Sequence, residues 1–199
     1  MVNHCSSGVT WVRTAVLVSE GALLVVDRVT VADEGSRAVG WRVGPSFPLQ
    51  IAADPVSVSP SAMDAAGFNS TGCLALNASL AESTRLLLWF GAWRVGAGGE
   101  GVAAPISVGT NRVLLVGRVQ PAAVFAQLDG GLKAGVTVFA SLLLPHDGAQ
   151  GGAGLAGKVK GMAEGGNVSI SFPVGVAGGM VHVAVDGEGK GGPNFVVTR

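Results

Sequence analysis

The sequence contains no tyrosine, so no phenol is on hand to donate, accept or shuttle a proton. Charge is scarce as well. Asp, Glu, Lys and Arg make up 13% of the residues, against about 25% in an ordinary domain, which argues against long solvated helices. The 13 basic and 13 acidic residues cancel, leaving no basic field to attract nucleic acid. Although 48% of the chain is hydrophobic, no apolar run reaches the ~18–20 residues that a membrane helix needs. Cys5 and Cys73 are the only cysteines, too few for a zinc site, and no His or Cys stands at ligand spacing from either. They form one disulfide or remain two buried thiols. The glycine-rich stretches at 96–101 and 148–157 are not phosphate cradles. The first lacks a Lys-Ser/Thr ending, and neither opens a predicted helix. No cofactor or metal is expected.

Glycine and short apolar runs are what the chain has in quantity. The 32 glycines are twice the usual ~7% share, which fits many turns and little helix. With 199 residues the chain can bury a substantial core, and we read 1–199 as a single domain.

The best-specified stretch is 10–31, two β-type runs around Ser19-Glu20-Gly21. A two-residue loop would set Arg13 opposite Arg28, a repulsive pair. A three-residue loop puts Gly21 at the position needing positive φ and sets Arg13 opposite Asp27. That register gathers Trp11, Arg13, Ala15, Leu17, Leu23, Val25, Asp27 and Val29 on one face. Val12, Thr14, Val16, Val18, Ala22, Leu24, Val26 and Arg28 lie on the other. Both faces are largely apolar, so the hairpin is expected to be central and covered on both sides.

Further strands are expected at 38–43, 47–52, 73–80, 84–95, 105–108, 112–119, 122–128, 135–144, 167–174, 180–185 and 195–198. Residues 54–67 and 148–157 read as loops. About a dozen strands at 8–12-residue spacing predict an all-β fold, a large antiparallel β-sandwich with little or no helix.

Candidate sites are few. His4 and His146 fall in polar turns, and His182 sits in a strand out of phase with Val181, Val183 and Val185. All three read as surface histidines, and no serine near glycine has the strand-elbow-helix context of an esterase nucleophile. Trp11, Trp41, Trp89 and Trp93 lie in predicted strands. Trp89 and Trp93 share a face, either as core or as a sugar-binding platform, with core the stronger reading. Three Asn-x-Ser/Thr patterns begin at Asn69, Asn77 and Asn167 and would matter in a secreted eukaryotic protein. No signal peptide precedes the first strand. The chain is thus cytoplasmic or the downstream piece of a longer one, and we expect the second.

Trp11-Val12-Arg13, the glycine turn and Val25-Val26-Asp27-Arg28 follow the order found where the sandwich of heparinase II/III-type polysaccharide lyases begins. Trp41 with Gly44-Pro45, and the run from Val138 to Pro145, continue that order, so residues 8–148 resemble this family. The resemblance implies an N-terminal helical toroid, missing here, ahead of a C-terminal sandwich. It also implies an extracellular or periplasmic location and a uronic-acid polysaccharide as partner, glycosaminoglycan- or alginate-like. Such enzymes cleave by β-elimination, with Tyr and His as acid and base and a group that neutralises the substrate carboxylate. The toroid carries most of that machinery, and this chain has no Tyr, so it is expected to be inactive alone. His4, upstream of the hairpin, is the candidate for a sandwich-borne catalytic histidine. A free-standing carbohydrate-binding or adhesion sandwich is the alternative expectation.

Overall fold

The computed structural model describes residues 2–6, 8–18, 21–33, 40–43, 73–79, 85–111, 114–115, 118–119, 123–128, 130–146, 152–164, 167–174, 179–186 and 194–198. Its first strands are β1 (Val2–Ser6), β2 (Val9–Leu17) and β3 (Leu23–Val31). β2 and β3 form the expected hairpin in the expected register, with Arg13 opposite Asp27 and Val12 opposite Arg28. Gly21 takes φ 81°, a conformation that side chains with a Cβ rarely adopt, and the Val18 N–H donates to the Ala22 carbonyl at 2.8 Å. The opposite-charge register wins, as the cross-strand argument requires.

The chain continues through β4 (Gly40–Val43), β5 (Cys73–Ser79), β6 (Arg85–Val95), β7 (Gly101–Ala103), β8 (Ile106–Asn111), β9 (Leu114–Leu115), β10 (Arg118–Val119), β11 (Ala123–Leu128) and β12 (Gly135–His146). One helical turn, α1 (Gly152–Ala156), precedes β13 (Lys160–Glu164), β14 (Asn167–Val174), β15 (Gly179–Asp186) and β16 (Asn194–Thr198). The fold is all-β, and the strand pairs among the described residues are antiparallel. The largest sheet has the order β1-β2-β3-β12-β6-β5, with β7 beside β6. A four-stranded sheet runs β13-β14-β15-β16, a three-stranded one β4-β11-β8, and β9 pairs with β10.

Alternation along the central strands sends apolar side chains to both faces. On one face Leu24 and Val26 of β3, Leu87, Trp89 and Trp93 of β6, and Val138, Ala140 and Leu142 of β12 meet the inner residues of the four-stranded sheet. Those are Ala163, Val168, Ile170, Phe172, Val181, Val183 and Val185, and this contact makes the sandwich. Leu155 and Ala156 of α1 close the same core. On the opposite face Val29, Val31, Leu88, Phe90 and Phe139 pack with Leu128, Leu132 and Ile106, from the ends of β11 and β8 and the β11–β12 connection. The central sheet is thus covered on both sides. Each fully buried large apolar side chain contributes about 1.5–3 kcal/mol.

Coverage stops near the hairpin turn. Ala15 and Leu17 of the second face are exposed, Leu17 at 75%, so the expectation of two fully covered faces holds only for the rest of the hairpin.

β6 runs unbroken through Gly91, as expected of the strand at 84–95. A Cβ on Gly91 would stand 2.5 Å from Trp93 Cη2 and 2.8 Å from Trp89 Cη2. From the facing sheet, a Cβ on Gly161 would stand 2.6 Å from Trp89 Cη2. Two glycines therefore make room for the two indoles, whose centroids lie 6.3 Å apart. At the end of β12, pairing with β3 stops at Leu143 while pairing with β6 continues to His146. Pro145 falls where only one neighbour remains, a position that tolerates a missing N–H.

Four sequence expectations need correction. His4 is inside β1 and not in a turn before the first strand. Residues 152–156 of the expected loop form α1, because Leu155 and Ala156 have a core to enter. Residues 112–119 hold two two-residue strands paired with each other, not one strand. The short β7 was not anticipated. The expected strand at 47–52 and loop at 54–67 lie outside the described residues.

The cysteine question is settled by topology. Cys5 is on β1 and Cys73 on β5, at opposite edges of a six-strand path. Five interstrand steps of ~4.8 Å separate those edges by about 24 Å. A disulfide needs Cα atoms within ~7 Å, so these two do not bridge within one chain.

Candidate functional site

Two polar constellations stand out among the described residues. The first lies inside the hairpin. Trp11 and Arg13 are two residues apart on β2 and so share a face, and Asp27 is directly across from Arg13 on β3. Asp27 is 0% exposed, held between β2 and β12. Its Oδ1 accepts from Trp11 Nε1 and from Arg13 Nε, both at 2.7 Å, and its Oδ2 accepts from Arg13 Nη2 at 2.9 Å. This is the forked arginine–carboxylate geometry, the stronger kind of charge-assisted pair. The Arg13 guanidinium also sits 5.5 Å from the Trp11 ring centroid.

The hydrogen bonding of Arg13 to the Asp27 carboxylate is the main reason the Arg13 pKa is raised; partial burial opposes it and the carboxylate charge adds to it. A raised arginine pKa keeps the cation's contribution intact at any pH below its ordinary value, and it is lost only as pH climbs through the folded value. The pair is a structural clasp. Its carboxylate is sealed from substrate, and its guanidinium is committed to that carboxylate.

The second constellation is on the outer face of the four-stranded sheet. The register sets Ser171 opposite His182 and, on its other side, opposite Lys160. Ser171 Oγ lies 2.7 Å from His182 Nδ1 in an exposed position. Nearby, Met162, Glu164, Asn167, Val168, Ser169 and Ala184 line a shallow, open depression of about 330 Å³.

A serine beside a histidine suggests a nucleophile and its base, but the surroundings do not complete one. Acyl transfer needs N–H donors aimed at the developing oxyanion and a third group orienting the base. Ser171 is in a strand paired on both sides, so its backbone is engaged in the sheet ladders. The pair can donate and accept hydrogen bonds at the surface, and among the described residues no third group completes it.

The remaining site candidates are dispersed. His4 is on the edge strand β1; its side chain is outside the described residues. His146, half-buried, ends β12 opposite Arg85. His146 and His182 thus stand on different sheets. Trp89 is 0% exposed and Trp93 is buried, which makes them core and removes them as a sugar platform. The Trp41 side chain is outside the described residues. Among the described residues no group of three His, Cys, Asp or Glu is placed to hold a metal ion. Nor is any helix long and apolar enough to cross a membrane.

Sequence reasoning missed two contacts. The Trp11 indole on Asp27 was available from the hairpin register, since Trp11 is diagonal to Asp27 on one face. The Ser171–His182 pair required the β14–β15 register, which alternation alone leaves open.

No protein-family model matches the chain, and no curated protein matches it.

Proposed function

We propose that this chain is the β-sandwich part of a heparinase II/III-like polysaccharide lyase and does not cleave polysaccharide alone. One observation carries the reading. The residues behind the resemblance, Trp11 and Arg13 on one strand and Asp27 on the next, converge on the single buried carboxylate of Asp27 in the hairpin. A motif that assembles into one structural unit is what a shared sandwich scaffold would retain.

The chemistry supports inactivity in isolation. β-Elimination from a uronate needs a base for the proton α to the carboxyl group, an acid for the leaving oxygen and a cation for the carboxylate. The chain has no tyrosine, its described histidines stand apart, and Arg13 is occupied by Asp27. The toroid of a longer protein would supply the missing groups, and His4 would be the sandwich's own contribution. The substrate would be a glycosaminoglycan- or alginate-like polysaccharide, met in an extracellular or periplasmic setting.

The experiment is to incubate the purified chain with heparan sulfate and with alginate and follow the ultraviolet absorbance of unsaturated uronate. No product is expected, and steady product formation would overturn inactivity. The scaffold reading has its own test in the genomic sequence upstream of Met1. A reading frame for a helical toroid carrying Tyr and His is expected, and an unrelated gene behind a stop codon would overturn it.

A further inference from the structure

The four-stranded sheet has two outer strands of opposite character. β13 carries Lys160 and Glu164, both exposed, and is tied to the central sheet by a bridge between Glu164 and Glu100. Charges on an edge and attachment to a neighbour are the usual defences against further strand pairing. β16 has neither. Its five residues, Asn194–Thr198, contain no charge, no proline and no glycine. Along it Phe195 is 54% exposed and Val196 is 61% exposed, with Val197 exposed as well. Only β15 pairs with it, so among the described residues one side of its backbone has no strand partner.

We propose that β16 is a dimerisation edge, pairing antiparallel with β16 of a second copy of this chain across a two-fold axis at Val196. The occupant follows from the strand's own register. β16 pairs Val183 with Val197 and Val185 with Phe195, so Phe195 and Val197 point to the side that carries the sandwich core. A two-fold axis at Val196, normal to the sheet, keeps core-facing sides together. It sets Phe195 of each copy opposite Val197 of the other, twice over. Aromatic and β-branched residues are favourable cross-strand partners. Val196 meets its own equivalent on the outer face, and an uncharged strand brings no like charges together there.

The strand is therefore complementary to itself, as an isologous interface demands. A charged or proline-bearing peptide has no comparable fit. The joined sheet would have eight strands, and Phe195 and Val197 would gain the lateral cover they lack in one copy. This inference stands apart from the lyase reading, since it uses none of the same residues.

The test is sedimentation velocity on the full chain over a wide concentration range, with the wild type beside Val196→Lys and Val196→Thr. Val196 is exposed, so both variants keep the fold, which circular dichroism and the thermal midpoint check. The wild type should be a reversible dimer and V196T should resemble it. V196K places two ammonium groups together at the axis and should raise the dissociation constant about a hundredfold, leaving a monomer. Amide exchange at Phe195–Val197 should slow in the dimer alone. A wild type monomeric at every concentration would overturn the proposal. So would a V196K dimer as tight as wild type, or growth into open-ended polymers, which a closed two-fold contact forbids.

Discussion

The two faces of the central sheet are made from alternate residues of the same strands, yet they are finished differently. On the sandwich side β13, β14 and β15 of the facing sheet close over the core, and Trp89 and Trp93 fit because Gly91 and Gly161 leave space for them. On the other side the cover comes from strand ends and a connection, Ile106, Leu128 and Leu132. That cover stops short of Leu17, and a half-exposed ion pair with a buried carboxylate stands where the apolar surface gives out. Strand periodicity decides which residues share a face. What lies over that face is decided by segments far away in the chain, and the two sides can differ in completeness as a result.

This contrast predicts a ranking of substitutions, read by urea unfolding. Trp89→Ala should cost the most, about 3–5 kcal/mol, because it empties the best-packed part of the sandwich core. A loss below about 1 kcal/mol would mean that this face is not the tighter one. Gly161→Ala adds a methyl 2.6 Å from Trp89 Cη2 and 2.8 Å from Ile170 Cδ1, forcing the sheets apart at a cost of about 1–3 kcal/mol. Neutral behaviour there would show that the indoles have room to move.

On the second face, Arg13→Met should cost about 1–2 kcal/mol. It withdraws the guanidinium from a carboxylate that is 0% exposed, but Arg13 itself is 51% exposed and already partly solvated. Adding Asp27→Leu should recover most of that loss, since an apolar pair of similar volume needs no desolvated charge. If the double variant is worse than the single, Asp27 has a role beyond the clasp. Leu17→Ser should change stability by less than about 0.5 kcal/mol, as expected of an exposed residue. A larger loss would mean that something covers the turn end. Smallest of all, a reducing agent should leave the thermal midpoint of the monomer unchanged, because Cys5 and Cys73 are on opposite edges of the sheet.

Much of this was legible in the residues. Gly21 and the Arg13–Asp27 pairing point to the hairpin register from the residues alone, since a one-residue shift would set two arginines together. The near-continuous apolar runs at 84–95 and 135–144 marked β6 and β12 as buried strands. What stayed hidden depends on distant segments. Nothing local says that Gly161 of one sheet opens space for tryptophans of another. Nothing around Leu155 marks a helix until the core beside it is known. The polar sites were less legible than the fold. Ser171 meets His182 only through a hairpin register, and His4 was placed outside a strand that in fact contains it.

The central claim is that β3, β12 and β6 form the heart of one sheet covered on both faces, with the hairpin as its structural keystone. Native-state amide hydrogen exchange tests it most directly. Amides of Leu24–Val29, Leu87–Ala92 and Val138–Leu142 should exchange only through global unfolding, with protection matching the unfolding free energy and exceeding that in β13. If those three segments exchange as readily as β13, the sheet has no covered centre, and the account fails.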